Sequence, residues 1–352
     1  MFGTEYNWLV ESTPTSSGAP KVRLAGGGLL FTLAVAVFCV LCVGLRASPS
    51  ASADTSALVA PNMDGILEGL AIHPTTHEAF FGDVHNRCIW ARDTGGAAAA
   101  MKKFSAEADG LLGVFALKFS ADERTLWASC SAVPEMKGYT AADKGGAFLA
   151  AYDLTTRKLL RKFPLPADGR AHVLGDFIIA RDGTVYATDS LAPVIWRLTP
   201  GTDRIENWLE DAAFKSLQGL AFDAEGASLY IADYPRGLWR VSLATHTTKL
   251  LPAPAGTNLR GLDGLYAVPG GLVAVQNGLN PQRIVRVRLD GADAIAGADV
   301  LLSGRAEMTD LSLGQVVDGR LHFIANSGWE LYANPAATPQ PRDVFILSTP
   351  AN

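Results

Sequence analysis

Clustered basic residues, cysteines and charge in general are what this chain of 352 residues has least of. Lys and Arg number 30 against 35 Asp and Glu, giving a formal net charge of −5, and no basic run gathers anywhere. Phosphate backbones are held by clustered Lys and Arg, so a nucleic-acid partner is not expected. The chain also lacks a Gly-x-Ser-x-Gly elbow, a Cys/His ligand spacing and a phosphate-cradling glycine loop. Of four cysteines, Cys39 and Cys42 lie in an apolar run, and bulky Val40 and Leu41 argue against lipid attachment at Cys42. Cys88 and Cys130 read as two buried free thiols, although an oxidising compartment would permit a pair.

Long hydrophobic runs are equally scarce, with one conspicuous case. Leu24–Leu45 carries no charge and is rich in Leu, Val, Ala and Phe. About 20 apolar residues span a bilayer core as a helix, and this run has no polar face. Lys21 and Arg23 precede it, which keeps the N-terminus cytoplasmic and exports the body of the chain, despite Arg46 on the far side. Ala51-Ser52-Ala53 resembles a signal-cleavage site, but the run exceeds the usual secretory length, which favours a retained anchor and leaves cleavage open. The expected layout is a polar stub at 1–23, the membrane helix at 24–45, a Ser/Ala/Pro linker at 46–56 and one domain at 57–352.

Glycine (35) and proline (19), by contrast, are plentiful, and Val, Ile, Thr and aromatics recur in short bursts. That suits many short strands joined by turns. A repeat organises them. Segments beginning at Glu68, Phe115, Gly175, Gln218, Asp263 and Leu311 start 43 to 60 residues apart, and most are followed by a turn and a second strand. Asp83, Cys130, Asp189, Asp233, Asn277 and Asn326 each fall 14 or 15 residues after those starts. Third strands come next, such as Val194–Leu198 and Gly237–Val241. Four strands per repeat of about 45 residues is a propeller blade, so the expected fold is an all-β, six-bladed propeller. The last unit lacks a fourth strand, which residues near Ala57–Ala60 would supply. The longest spacing places an extra polar loop, about Ser131–Gly146, in the second blade. A sandwich or barrel would explain alternating strands but not a sixfold repeat with a constant inner offset.

The first strand of each blade lines a propeller's axis, so Glu68, Phe115, Gly175, Gln218, Asp263 and Leu311 form a ring at one mouth. Two carboxylates and a carboxamide converging there suit a hard cation such as Ca²⁺, which takes 6–8 oxygen ligands. Bare, the carboxylates would repel each other. Asp83, Asp189 and Asp233 at strand ends read as hydrogen-bonding turn residues, and Trp90, Trp196 and Trp239 as packing between blades. His73 and His322 sit within strand patterns and carry no ligand spacing. His172, three residues before Gly175, is placed at the channel mouth with Phe115 and Asp176, or else is a structural histidine.

Glu68-Gly-Leu-Ala, Gly175-Asp176 before Asp182-Gly-Thr-Val-Tyr-Ala-Thr-Asp189, Gln218-Gly-Leu-Ala-Phe-Asp and Asp263-Gly-Leu resemble the blade openings of the SMP-30/gluconolactonase family, over about residues 62–347. The resemblance implies a six-bladed propeller with a divalent cation, Ca²⁺ above all, in its channel. It makes Glu68 and Asp263 cation ligands and Asp263 the acid/base. Gln218 stands where the family has Asn, one methylene longer, and Gly175 where the third blade often offers Asn. The implied function is a metal-dependent hydrolase of a lactone or related ester, exported and membrane-anchored, acting on a small molecule. The alternative is a non-catalytic propeller that binds a ligand or protein.

Overall fold

Strands of two to nine residues account for almost all of the regular structure. The computed structural model describes residues 58–93, 100–334 and 338–351. The expected stub, membrane helix and linker therefore lie outside the described residues. Among those described, no helix is long and apolar enough to cross a membrane.

Six four-stranded antiparallel sheets form the blades of a propeller. Counting from the axis outward, blade 1 runs Leu67–Ile72, Ala79–Asp83, Cys88–Arg92 and Lys102–Lys103. Blades 2 to 5 open with Gly113–Phe119, Leu174–Ile179, Leu217–Phe222 and Leu262–Val268. Blade 6 combines Gly314–Val317, Arg320–Ile324 and Arg342–Pro350 with an outer strand from the other end of the chain, Leu58–Met63. Leu58, Val59 and Ala60 pair with Ile346, Phe345 and Val344, so the ring closes with the strand expected for the last blade. Each blade keeps only short, protected strand edges, and apolar faces of neighbouring blades are buried against one another.

The recurring x-Gly-Leu motif has two physical causes. Each of the first five inner strands skips register at the motif, between Leu67 and Gly69, Val114 and Leu117, Leu174 and Asp176, Leu217 and Leu220, and Leu262 and Leu265. Such bulges re-aim side chains, here those of Glu68, Phe115, Gln218 and Asp263. At two openings the glycine after the bulged residue meets the next blade backbone to backbone, whereas Gly264 faces the ring of Tyr266. A Cβ on Gly69 would stand 2.1 Å from the Phe115 carbonyl oxygen, and one on Gly219 2.3 Å from the Leu265 nitrogen. No side chain fits there.

The strand-end acids serve the structure. Trp90, Trp196 and Trp239 donate their indole N–H to Asp83, Asp189 and Asp233 at 3.0, 3.1 and 2.9 Å. Each tryptophan thereby ties the third strand of its blade to the second. In blade 5 the constant offset misleads by one residue. Gln276, not Asn277, pairs with Leu262 as Asp83 pairs with Leu67. Gln276 accepts from Arg283 Nε at 2.7 Å, an Arg–Gln version of the Trp–Asp clamp. Asn277 is thus released towards the axis. Cys88 and Cys130 are buried and unbonded to each other, as free thiols. The blade-2 loop is less polar than its composition suggests. Ala132, Val133 and Met136 are buried in one cluster with Ile66, Val84, Phe115 and Val173.

Candidate functional site

Acids crowd the axis. Glu68 on blade 1 and Asp263 on blade 5 are 8% and 9% exposed, and Asp176 on blade 3 is fully buried. Burial pushes the Glu68 carboxyl up to about 8, and the charge of Asp263 adds to this. Burial, then the charge of Asp176, pushes Asp263 up to about 7. Asp310, at the entry to blade 6, acts on both in the same direction. Acids that resist ionising together lose their protons in steps that belong to the pair rather than to either residue.

Neighbours hold both acids in place. Glu68 Oε2 accepts from the indole of Trp329 at 2.5 Å. Trp329 opens a single helical turn, Trp329–Tyr332, whose entry is pinned by Asp310 Oδ2 accepting from Gly328 N and Trp329 N at 2.8 Å each. Asp263 Oδ2 accepts from Asn277 Nδ2 at 2.8 Å, and Asn277 Oδ1 accepts from the Tyr234 hydroxyl at 3.0 Å. The same Asn277 amide also donates to the Leu311 carbonyl at 3.0 Å. This chain of bonds fixes which oxygen of Asp263 faces Asn277.

A cation is already present. Lys118 Nζ lies 3.1 Å from Asp176 Oδ1 and 5.6 Å from the ring centre of Tyr266. Lys118 belongs to blade 2 and Tyr266 to blade 5, on opposite sides of the ring, so the ammonium stands over the axis. Asp176 Oδ1 also accepts from Phe177 N at 2.8 Å, while its Oδ2 has no partner among the described residues.

The expected site residues divide accordingly. Glu68, Asp263 and Asp176 come together. Phe115 is instead buried among Ile66, Val84, Val133 and Met136, its ring 5.9 Å from that of Trp329. His172 does not belong there. It is 2% exposed and held between Asp189 Oδ2 at 2.6 Å and Asp168 Oδ1 at 2.8 Å. Burial alone would depress its pKa, but the two carboxylates prevail and raise it. Gln218 is occupied at both ends. Its Nε2 donates to Ser216 Oγ at 3.0 Å, and its Oε1 lies 3.3 Å from Ser190 Oγ, sharing that hydroxyl's one proton with the Leu217 carbonyl at 3.1 Å. A Cβ on Gly175 would stand 2.6 Å from Ser190 Oγ and 3.2 Å from Gln218 Oε1, so the two departures from the family pattern are one rearrangement. The longer Gln fills the space that the missing side chain leaves.

The expected Ca²⁺ therefore finds a poor donor set. Position 175 offers nothing, Gln218 is bonded elsewhere, Asp176 faces an ammonium, and Glu68 and Asp263 each have one oxygen engaged. Among the described residues, no group of three His, Cys, Asp or Glu is placed to hold a metal ion. A site for 6–8 oxygens is not assembled by these residues.

Lys118, Asn277, Tyr234, Asp310 and Trp329 also shape the site, and no motif or spacing marks most of them in the sequence. For Lys118 a signal exists, as the sole basic residue in the six inner strands.

No family model matches the sequence, and neither does any curated protein. Solved structures do resemble the fold. The Malassezia sympodialis allergen Mala s 1 is 14% identical, with a TM-score of 0.63, covering 83% of this chain and 95% of that one. The PQQ-bound aldose sugar dehydrogenase of Streptomyces coelicolor is 16% identical with a TM-score of 0.55, covering 84% and 99%. A gluconolactonase of Xanthomonas campestris is 14% identical with a TM-score of 0.54, covering 84% and 90%. At these identities the likeness establishes the propeller fold.

Proposed function

We propose that the protein is a hydrolase of a lactone or related ester, with Glu68 and Asp263 as its proton-transfer pair. The observation that carries this reading is two buried acids sharing one environment, with pKa values raised to about 8 and about 7. Acid and base catalysts work best when their pKa lies near the working pH. Near neutrality the pair carries about one proton. Asp263, ionised, takes a proton from the water that attacks the carbonyl carbon. Glu68, protonated, delivers its own to the alkoxide oxygen as the C–O bond breaks. The proton then passes back within the pair. Asn277 and Trp329 orient the two carboxyls for these steps. A gluconolactonase among the structural neighbours supports the substrate class. No step runs through a divalent cation.

Assay against sugar lactones and simple aryl esters tests this. Wild-type turnover is expected to follow a bell-shaped pH profile, and Asp263→Asn to lower kcat/KM by about 10²–10⁴. Full activity in Asp263→Asn would remove the proposal. A small ligand that binds without turnover in any of these assays would favour the non-catalytic module, which the indole closing on Glu68 also suits.

We propose further that the propeller lies outside the cytoplasm, carried there by the 24–45 run behind Lys21 and Arg23. The full-length chain is expected to stay with membranes after alkaline carbonate washing and to be digested by protease added from outside. Full protection from protease added to spheroplasts or right-side-out membrane vesicles, which expose both a periplasmic and an extracellular propeller, would count decisively against export.

A further inference from the structure

We propose that this channel carries its own cation, the ammonium of Lys118, and that the protein holds no divalent metal. This holds whether or not the acids hydrolyse an ester, because it concerns what balances their charge.

The ammonium is where a channel cation would be needed. The six inner strands contain one basic residue, and its ammonium reaches Asp176 at 3.1 Å and the face of Tyr266 across the ring. Tyr266 is itself fixed, its hydroxyl accepting from Gly314 N at 2.6 Å. The Lys118 side chain retains 24% of its exposure while the Asp176 side chain keeps 1%, so the ammonium sits where solvent and the buried acid meet. A fully buried carboxylate without a partner is strongly disfavoured, and among the described residues Lys118 is the one cation that Asp176 contacts.

The same ammonium shuts a divalent ion out. Like charges a few ångströms apart repel, and strongly so in a partly dry channel. A divalent ion bound through Asp176 would stand close to the ammonium, 3.1 Å from that carboxylate, and would have to displace it. It would also find Gln218 bonded to Ser190 and Ser216, and no side chain at Gly175. Those donors are missing on the side of the ring nearest Asp176. The missing donors at Gly175 and Gln218 and the ammonium of Lys118 on Asp176 are thus two parts of one arrangement. Lys118 serves here as a positioning and charge-balancing residue.

Metal content and thermal unfolding of the full-length protein, purified in mild detergent without chelator, test the proposal. The expected result is far less than one divalent ion per chain by elemental analysis. The unfolding midpoint should stay within about one degree between EDTA and millimolar Ca²⁺, Mn²⁺, Mg²⁺ or Zn²⁺, since an ion binding only the folded form would raise it. Lys118→Met should unfold several degrees below wild type in EDTA and regain part of the loss with Ca²⁺, while Lys118→Arg should remain indifferent to metal. One divalent ion per wild-type chain, with a midpoint that falls when EDTA strips it, would overturn the inference. So would a Lys118→Met protein as stable in EDTA as the wild type. If Lys118→Met does not fold, the wild-type metal content and Lys118→Arg decide.

Discussion

At pH 8.5 in EDTA, Glu68→Gln unfolds well above the wild type, and at pH 4 the two unfold within a degree or so of each other. Linkage sets the sign. Burial and the charge of Asp263 raise Glu68 from 4.5 to about 8 in the folded protein. A group so raised leaves the fold undisturbed below its unfolded pKa and costs stability as pH climbs towards the folded one. The window therefore opens near pH 4.5 and closes near pH 8. A change of one in pKa corresponds to about 1.4 kcal/mol, so the full effect is on the order of 3–5 kcal/mol, or about 5–10 °C in midpoint. Gln keeps an oxygen for the Trp329 indole, so the hydrogen bond survives while the charge is removed. Asp263→Asn should behave similarly, with its window opening near 3.8 and closing near 7. Midpoints measured by circular dichroism from pH 4 to 9 decide the matter. Parallel curves for wild type and Glu68→Gln across that range would mean that the two acids are not coupled in a dry environment.

Much of this architecture was legible because it repeats. Six blade openings recur in phase, five of them at a bulge and two with a glycine pressed against the next blade's backbone, and a constraint repeated in phase stands out from one sequence. The Leu58–Met63 closure was legible for a related reason, since an odd strand at one terminus and a missing one at the other imply each other. What failed to show are features that occur once. Asn277 and Gln276 differ by one position, and a fixed offset cannot tell which of them faces the axis when the paired strand skips a residue. His172 lies near Gly175 in sequence, yet its partners Asp168 and Asp189 turn it into the blade. Trp329 reaches Glu68 across 261 residues of chain, a distance over which no local pattern speaks. The side-chain amide of Gln218 is hydrogen-bonded to Ser190 and Ser216, residues with no distinguishing neighbours in sequence.

Asp189→Ala should be the most damaging single substitution in the propeller's blades, costing on the order of 3–5 kcal/mol. Asp189 is fully buried and accepts five hydrogen bonds. Oδ2 takes His172 Nδ1 and Trp196 Nε1. Oδ1 takes the backbone N–H of Val173, Leu191 and Ala192 at 3.2, 3.0 and 3.1 Å. Alanine would leave these donors facing a small void, and each buried donor left unmet costs about 1–3 kcal/mol before relaxation. Asp233, which accepts from Lys215 N, Ser216 N and Trp239 Nε1, has no histidine and should cost less when truncated. The difference has its own pH signature. Despite the opposing effect of burial, Asp189 and Asp168 raise the pKa of His172, so their stabilisation is complete below the unfolded value of 6.5 and fades as pH rises through the folded one. Removing Asp189 should therefore cost more at pH 5.5 than at pH 8.5, whereas removing Asp233 should cost about the same at both. Urea unfolding at the two pH values measures this directly. An Asp189→Ala loss below about 1 kcal/mol would show that the blade repacks around the gap. An equal loss at both pH values would show that His172 is neutral in the fold, held by hydrogen bonds alone.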